Sequence, residues 1–153
     1  MNDIKKCVET STNDIKMRAS AYYYIFDEMQ KNLDKEKAKD IFKKAIYKLG
    51  KEKSVSYSNQ TKENASILAK EFVENSQVHK MVFDKEEISS TDNECILCMH
   101  KCPLVEEWKE MNLSKEEIAL MCDLAYQIDF GTFEALGYEL NFENRIADGD
   151  NMC

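Results

Sequence analysis

Four glycines and one proline in 153 residues constrain this chain more than any other feature. A sandwich or barrel reverses direction many times through tight turns built on these two residue types. Their scarcity points to a helix-rich fold. The length suits one domain with one core. No linker, repeat or low-complexity stretch divides it, so 1–153 reads as a single domain with a helical part, 1–77, and a mixed part, 78–153.

In the helical part, Ile15, Ala19, Tyr22, Phe26 and Met29 recur at alternating steps of four and three, which predicts a helix over 13–32. Tyr22, Tyr23 and Tyr24 broaden its apolar side for packing in a core or against a partner. Asp34 suits the N-cap of a second helix over 35–49, striped by Ala38, Ile41, Phe42, Ala45 and Leu49 and ended by Gly50. A polar loop over 51–60 precedes a third helix, 62–75, which buries Ala65, Leu68, Ala69 and Phe72.

The pattern then changes. Met81 and Phe83 alternate within 78–85. Within 94–100, Ile96, Cys98 and His100 oppose Cys95, Leu97 and Met99, and the turn formers of 89–93 lie between, so two antiparallel strands are predicted. Cys102-Pro103 opens a short helix carrying Leu104, Val105, Trp108 and Met111. Ser114 and Glu117 form a capping box for a further helix reaching residue 136. Tyr138, Leu140 and Phe142 alternate with polar residues in a third strand, 138–146, and Asp148-Gly149-Asp150 turns the chain toward Cys153. The expected fold class is α+β: N-terminal helices packed with a small antiparallel sheet and two helices of the C-terminal half, in the order β-β-α-α-β.

A net charge of −8 repels phosphate backbones and argues against nucleic acid as a partner. No stretch is long enough for a membrane span. The lysines near Met1 are followed by no apolar run, so a secretory signal is not expected and a cytoplasmic location is. Six cysteines would there stay as thiols or metal ligands. The expected partner is a small-molecule substrate or ligand, and the oligomeric state is left open.

Chemistry concentrates in the last third. Cys95, Cys98 and Cys102-Pro103 copy the end of a ferredoxin-type run, but Asp92 stands where another cysteine belongs. Cys95 and Cys98 fall on opposite faces of the predicted strand. Buried cysteines acting as small apolar side chains is the preferred reading, and a metal site of Cys95, Cys98 and His100 is the alternative. His79 and His100 are each read first as partly exposed side chains. Cys102, at a helix N-terminus, faces free N–H groups and the positive dipole end, which favour a thiolate. Ile118, Cys122, Ala125 and Asp129 share one helix face, with Asp129 about 10 Å along the axis from Cys122. A carboxylate on an apolar face is costly unless paired or used, which singles out Asp129 over Asp123. Arg145 and the Gly149-Asp150-Asn151-Met152-Cys153 turn complete the set.

Together these residues resemble the L-2-amino-thiazoline-4-carboxylic acid hydrolase-like family: Cys102-Pro103, then Met121-Cys122, Asp129-Phe130-Gly131, Leu136-Gly137-Tyr138, and Gly149-Asp150 with Cys153. The likeness covers roughly 78–153, and the helical half agrees in kind. It implies a hydrolase of a cyclic isothiourea with Cys102, Cys122, Asp129, Asp150 and Cys153 as catalytic residues and Arg145 and Gly149 as substrate-binding residues. Two schemes follow. In one, a Cys102 thiolate attacks and Asp129 or Asp150 moves protons. In the other, Cys102, Cys122 and Cys153 hold zinc or an iron–sulfur cluster that activates water. Arg145 would clamp the substrate carboxylate. Two competing classes are a non-catalytic ligand- or metal-binding module on the same cysteines and a plain interaction protein presenting Tyr22, Tyr23 and Tyr24.

Overall fold

The computed structural model describes residues 2–153. Its elements run α1 (Asn2–Asn32), α2 (Lys35–Lys53), α3 (Ala65–Glu74), α4 (Gln77–Phe83), β1 (Lys85–Ser90), β2 (Cys95–Met99), α5 (Pro103–Glu110), α6 (Lys115–Ala125) and α7 (Gln127–Ala135), with short 3-10 turns at Ser54–Ser56, Asn59–Lys62 and Ile146–Asp148. The architecture is α+β: helices dominate and the described residues hold one two-stranded antiparallel sheet. No helix is long and apolar enough to cross a membrane among the described residues.

Local signals set several boundaries. Asp34 caps α2 by accepting from the N–H groups of Glu36 and Lys37, and Asn64 does the same for α3 through Ser66 and Ile67. Ser114 and Glu117 close a reciprocal capping box on α6. Pro103 opens α5, where its missing N–H is harmless.

The core has two parts. The larger joins α1, α2, α5 and α6 around Phe26, Phe42, Trp108, Met121 and Leu124. Trp108 is wholly buried, and its indole N–H donates to the Ala19 carbonyl at 3.0 Å, so α5 is locked onto α1. The smaller joins Tyr57, Leu68, Phe72, Val73, Phe133 and Leu136, with β2 packed beside it.

Several expectations are corrected. α1 begins at Asn2, well before residue 13. Gly50 does not end α2, which continues to Lys53 through the start of the expected loop. Gly50 lies where α2 and α7 touch: a Cβ there would stand 2.1 Å from the Ile128 carbonyl oxygen, and one on Gly131 2.1 Å from that of Tyr47. Thr132 stitches this crossing, its hydroxyl donating to the carbonyls of Gly50 at 3.1 Å and Ile128 at 2.7 Å.

The strand expected over 78–85 is mostly α4, begun by Ser76, which accepts from the His79 N–H, and ended by Asp84 in the left-handed conformation at φ 50. β1 starts only at Lys85, and Ser89 and Ser90 belong to it. The hairpin pairs Lys85 with Met99, Glu86 with Cys98 and Ser90 with Cys95, with an irregularity between Glu87 and Ser89. The helix expected to reach 136 breaks at Tyr126 into α6 and α7, giving the C-terminal half three helices after the hairpin.

Residues 138–145 form no strand. Tyr138 and Leu140 pack on the smaller core and Phe142 meets Tyr126 and Phe130, so the alternation records burial without a ladder partner. The β2 edge is taken by Cys153, which exchanges backbone hydrogen bonds with Met99 at 2.9 and 3.0 Å.

Gly131→Ala is expected to lower the unfolding free energy by about 3 kcal/mol, the upper part of the overpacking range, because its methyl would meet backbone atoms that cannot rotate away. Urea unfolding of the variant against the wild type checks this, and an unchanged midpoint would refute the close crossing.

Candidate active site

Cys102, Cys122 and Asp129 come from three successive helices, and Asp150 and Cys153 from the tail. Cys102 is the N-cap of α5, in extended backbone at φ −140 and ψ 99. Cys122 lies on α6 and Asp129 on α7. They therefore belong to two helices meeting at Tyr126, and the shared face of one continuous helix is corrected.

The tail supplies Cys153. Gly149 adopts φ 104, a conformation open to glycine and strained for other residues, and reverses the chain after Ile146–Asp148. Asp150 fixes that reversal by accepting from the Arg145 N–H at 2.8 Å. Cys153 then returns to Met99, and its sulfur accepts from the Ile146 N–H at 3.2 Å. The Gly149-Asp150 motif thus places Cys153, while Asp150 itself is exposed and engaged with backbone.

The charges of these groups interact. Cys153 and Asp129 each raise the Cys102 pKa, and Cys102 and Cys153 each raise that of Cys122. Burial is the larger cause throughout. It pushes the Cys102 thiol up to about 11 against the opposing pull of the Val105 and Leu104 N–H groups, and the Cys122 thiol up to about 12. Cys153 is raised as well, by burial first. The helix dipole at Cys102 is therefore outweighed, and the expected thiolate is corrected to a neutral thiol.

Asp129 differs from the other marked residues. Its carboxyl makes no hydrogen bond or ion pair among the described residues. Burial raises its pKa, against the lowering effect of Lys53, Lys85 and Arg18. It keeps partial exposure because it opens onto a cavity of about 630 Å³ that Cys98 and Cys153 also line, with apolar walls that include Phe72, Phe133 and Leu140 and with Glu94, Glu139 and Glu143 also along its lining. Such a volume lies within the range of small-molecule sites, about 300–1,000 Å³. Cys102 and Cys122 do not line this cavity.

The remaining marked residues are held elsewhere. The Arg145 guanidinium is taken by Asp148, at 2.7 Å from Nε and 2.9 Å from Nη2, and by Asp123. It braces the tail against α6 and lies 5.6 Å from the Tyr126 ring centroid. The His100 Nε2–H donates to the Glu86 carboxylate at 2.9 Å. The Cys98 sulfur is 3.9 Å from the Nδ1 and 3.7 Å from the Nε2 of that ring. No group of three or more His, Cys, Asp or Glu side chains converges at metal-ligand spacing among the described residues. Neither Cys102, Cys122 and Cys153 nor Cys95, Cys98 and His100 fit zinc or a cluster in this arrangement.

Four residues that interact electrostatically with Asp129 were not marked in the sequence: Arg18, Lys53, Tyr57 and Lys85. Tyr57 is buried, and burial pushes its phenol up to about 12 with Asp129 adding to the rise. Lys85 is driven down to about 8 by burial. One signal was available for Arg18: it is one of two arginines in a chain with 21 basic residues, set beside the apolar stripe of α1.

The family described as L-2-amino-thiazoline-4-carboxylic acid hydrolase matches residues 14–153. No curated protein and no solved structure matches the chain.

A raised pKa keeps a thiol protonated, and so unreactive, at every pH below it. Alkylation by iodoacetamide at pH 7.5, a working pH near ~7, is thus expected at exposed Cys7, with Cys102 labelled appreciably only as the pH nears 11. Peptide mass mapping across a pH series measures this. Rapid labelling of Cys102 near neutrality would contradict the burial effect.

Proposed function

This chain belongs to the L-2-amino-thiazoline-4-carboxylic acid hydrolase family, and on that premise we propose that it hydrolyses a small cyclic isothiourea with Asp129 as its proton-transfer group. One observation carries the proposal: an unpaired carboxyl, raised by burial, opens onto a cavity whose walls are largely apolar. A general acid or base works best when its pKa lies near the working pH, and burial moves a carboxyl in that direction.

The electrophilic carbon of a 2-amino-thiazoline lies between sulfur and nitrogen. Ionised Asp129 takes a proton from water as the water oxygen bonds to that carbon of the amidinium form. The C=N electron pair moves onto nitrogen. The tetrahedral adduct collapses with breakage of the ring C–S or C–N bond, and Asp129 returns its proton to the leaving atom. The adduct hydroxyl loses its proton to solvent as the carbonyl forms. Apolar walls suit this step because they limit competing water and strengthen local electrostatics.

The thiols take a different part from the nucleophile first expected. Neutral Cys153 lines the cavity and touches substrate, whereas Cys102 and Cys122 pack against the larger core as small apolar groups. A second reading, ligand capture without turnover, draws on the same cavity and its aromatic lining.

Incubation with L-2-amino-thiazoline-4-carboxylate, followed by detection of the ring-opened product, tests the reading. Asp129→Asn is expected to lower kcat by at least about 10²-fold, the typical worth of a positioned acid–base group, while Cys102→Ser keeps turnover within about tenfold of wild type. Wild-type turnover in Asp129→Asn would overturn the role of Asp129. Binding without any turnover by the wild type would favour ligand capture.

A further inference from the structure

The cavity onto which Asp129 opens carries charge of one sign. Asp129, Glu94, Glu139 and Glu143 line it, and among the described residues no lysine, arginine or histidine does. The chain holds 21 basic residues in 153, so their exclusion from so long a lining is a property of the site. The basic groups that adjoin it are drawn off to other partners. Arg145 follows the lining residue Asn144, and Asp148 and Asp123 hold its guanidinium. His100 follows Met99, and its ring is bound to Glu86. Lys85 faces Met99 across the hairpin, and its ammonium donates to the Phe72 carbonyl at 2.9 Å. No such partner neutralises the lining carboxyls, none of which enters an ion pair among the described residues.

Depth and neighbours separate the carboxyls. Glu94, Glu139 and Glu143 are exposed and give the cavity a negative rim, whereas Asp129 is partly buried. Phe133 follows Asp129 by four residues on α7, so the two side chains share one helix face, and both line the cavity. The Phe72 ring stands against that of Phe133, with centroids 5.8 Å apart. The Tyr138 hydroxyl is committed to the Thr61 carbonyl at 2.7 Å, which leaves its ring as lining. A ligand here meets a desolvated carboxyl and aromatic surface side by side. A planar cation satisfies both, through charge-assisted hydrogen bonds to the carboxyl and contact with the rings. A cleft lined by one sign of charge also concentrates ligands of the other sign. A ligand carboxylate would be desolvated among like charges with no cation to pair it.

We propose that this cavity selects a cationic cyclic amidine or isothiourea that carries no carboxylate, with its amidinium N–H groups on Asp129 and its ring against Phe133. The preferred substrate is then the bare ring, 2-amino-2-thiazoline, and the 4-carboxylate that gives the family its description is the poorer one. The identity of the ring rests on the proposed hydrolysis, and its charge rests on the cavity alone.

Benzamidine, benzamide and benzoate share one planar shape and carry a positive, no and a negative charge, and the amidine resists hydrolysis. Full-length protein is titrated with each near neutrality by calorimetry and amide NMR, with shifts expected at the lining residues Phe133, Leu140 and Cys153. Wild type is expected to bind the amidine about tenfold more tightly than the amide, the worth of one charge-assisted pair, and benzoate more weakly than either. Asp129→Asn, which keeps the side-chain shape, is expected to erase the preference for the amidine. Glu139→Gln combined with Glu143→Gln, at exposed positions outside the core, is expected to reduce it about threefold, as two exposed charges do. In turnover, kcat/KM for 2-amino-2-thiazoline is expected to exceed that for its 4-carboxylate by about tenfold.

Equal binding of amidine and amide, benzoate bound as tightly as the amidine, or no binding of any of the three overturns the proposal. A preference for the amidine that survives Asp129→Asn, or is indifferent to the rim substitutions, does the same. Turnover of the 4-carboxylate at least as fast as that of the bare ring also overturns it and leaves the hydrolysis standing. If neither ring is hydrolysed but the amidine is still preferred in an Asp129-dependent way, the cation site stands and the proposed hydrolysis falls.

Discussion

Two helix backbones touch where α2 crosses α7, and the position of Asp129 follows from that contact. Gly50 faces the Ile128 carbonyl, Gly131 faces the Tyr47 carbonyl, and the Thr132 hydroxyl bridges both chains. Asp129 sits between Ile128 and Gly131, so its Cα moves with the crossing. Side chains at either glycine would push the helices apart and lift the carboxyl out of its desolvated place. The same crossing brings the end of α2, with Lys53, and the Tyr57 phenol toward Asp129. One close approach thereby sets both the burial of the acid and the charge around it.

The rest of the fold spends ordinary packing to hold that region. Trp108 fixes α5 to α1, which sets Cys102 and keeps Arg18 near the interior. The Gly149-Asp150 turn folds the tail back so that Cys153 completes an edge of the hairpin. Peripheral charges pair off on the surface, where an ion pair contributes little. The Asp129 carboxyl takes part in none of these pairs among the described residues, and proteins accept such a local penalty where function needs an unsatisfied group.

Signals that act within a few residues were legible in the sequence. Asp34, Pro103 and the Ser114–Glu117 box sit where their local chemistry placed them, and the second strand was bounded nearly as observed. Signals that depend on a distant partner were not. Gly50 reads as a helix stop until the α7 backbone beside it is known. Residues 138–145 alternate as a strand does, yet no neighbour offers a ladder. Met81 and Phe83 alternate inside what is a short helix, capped at both ends by Ser76 and Asp84. Asp129 stood out as a carboxylate on an otherwise apolar helix face, and the family likeness set the cysteines beside it in the sequence. The family match now extends over the helical half as well, where no motif had been quotable. Arg18, Lys53 and Lys85 are spread over three elements in a lysine-rich chain, and only their lowering effect on the Asp129 pKa links them.

The central claim is that Asp129 is a desolvated carboxyl without a hydrogen-bonding partner, and its own titration tests this most directly. In protein labelled with carbon-13 at aspartate side chains, assigned by comparison with Asp129→Asn, the Asp129 carboxyl signal is expected to titrate above the usual aspartate value of about 3.9. A midpoint for Asp129 at or below the usual value would mean that the carboxylate is solvated or paired, and would contradict the account.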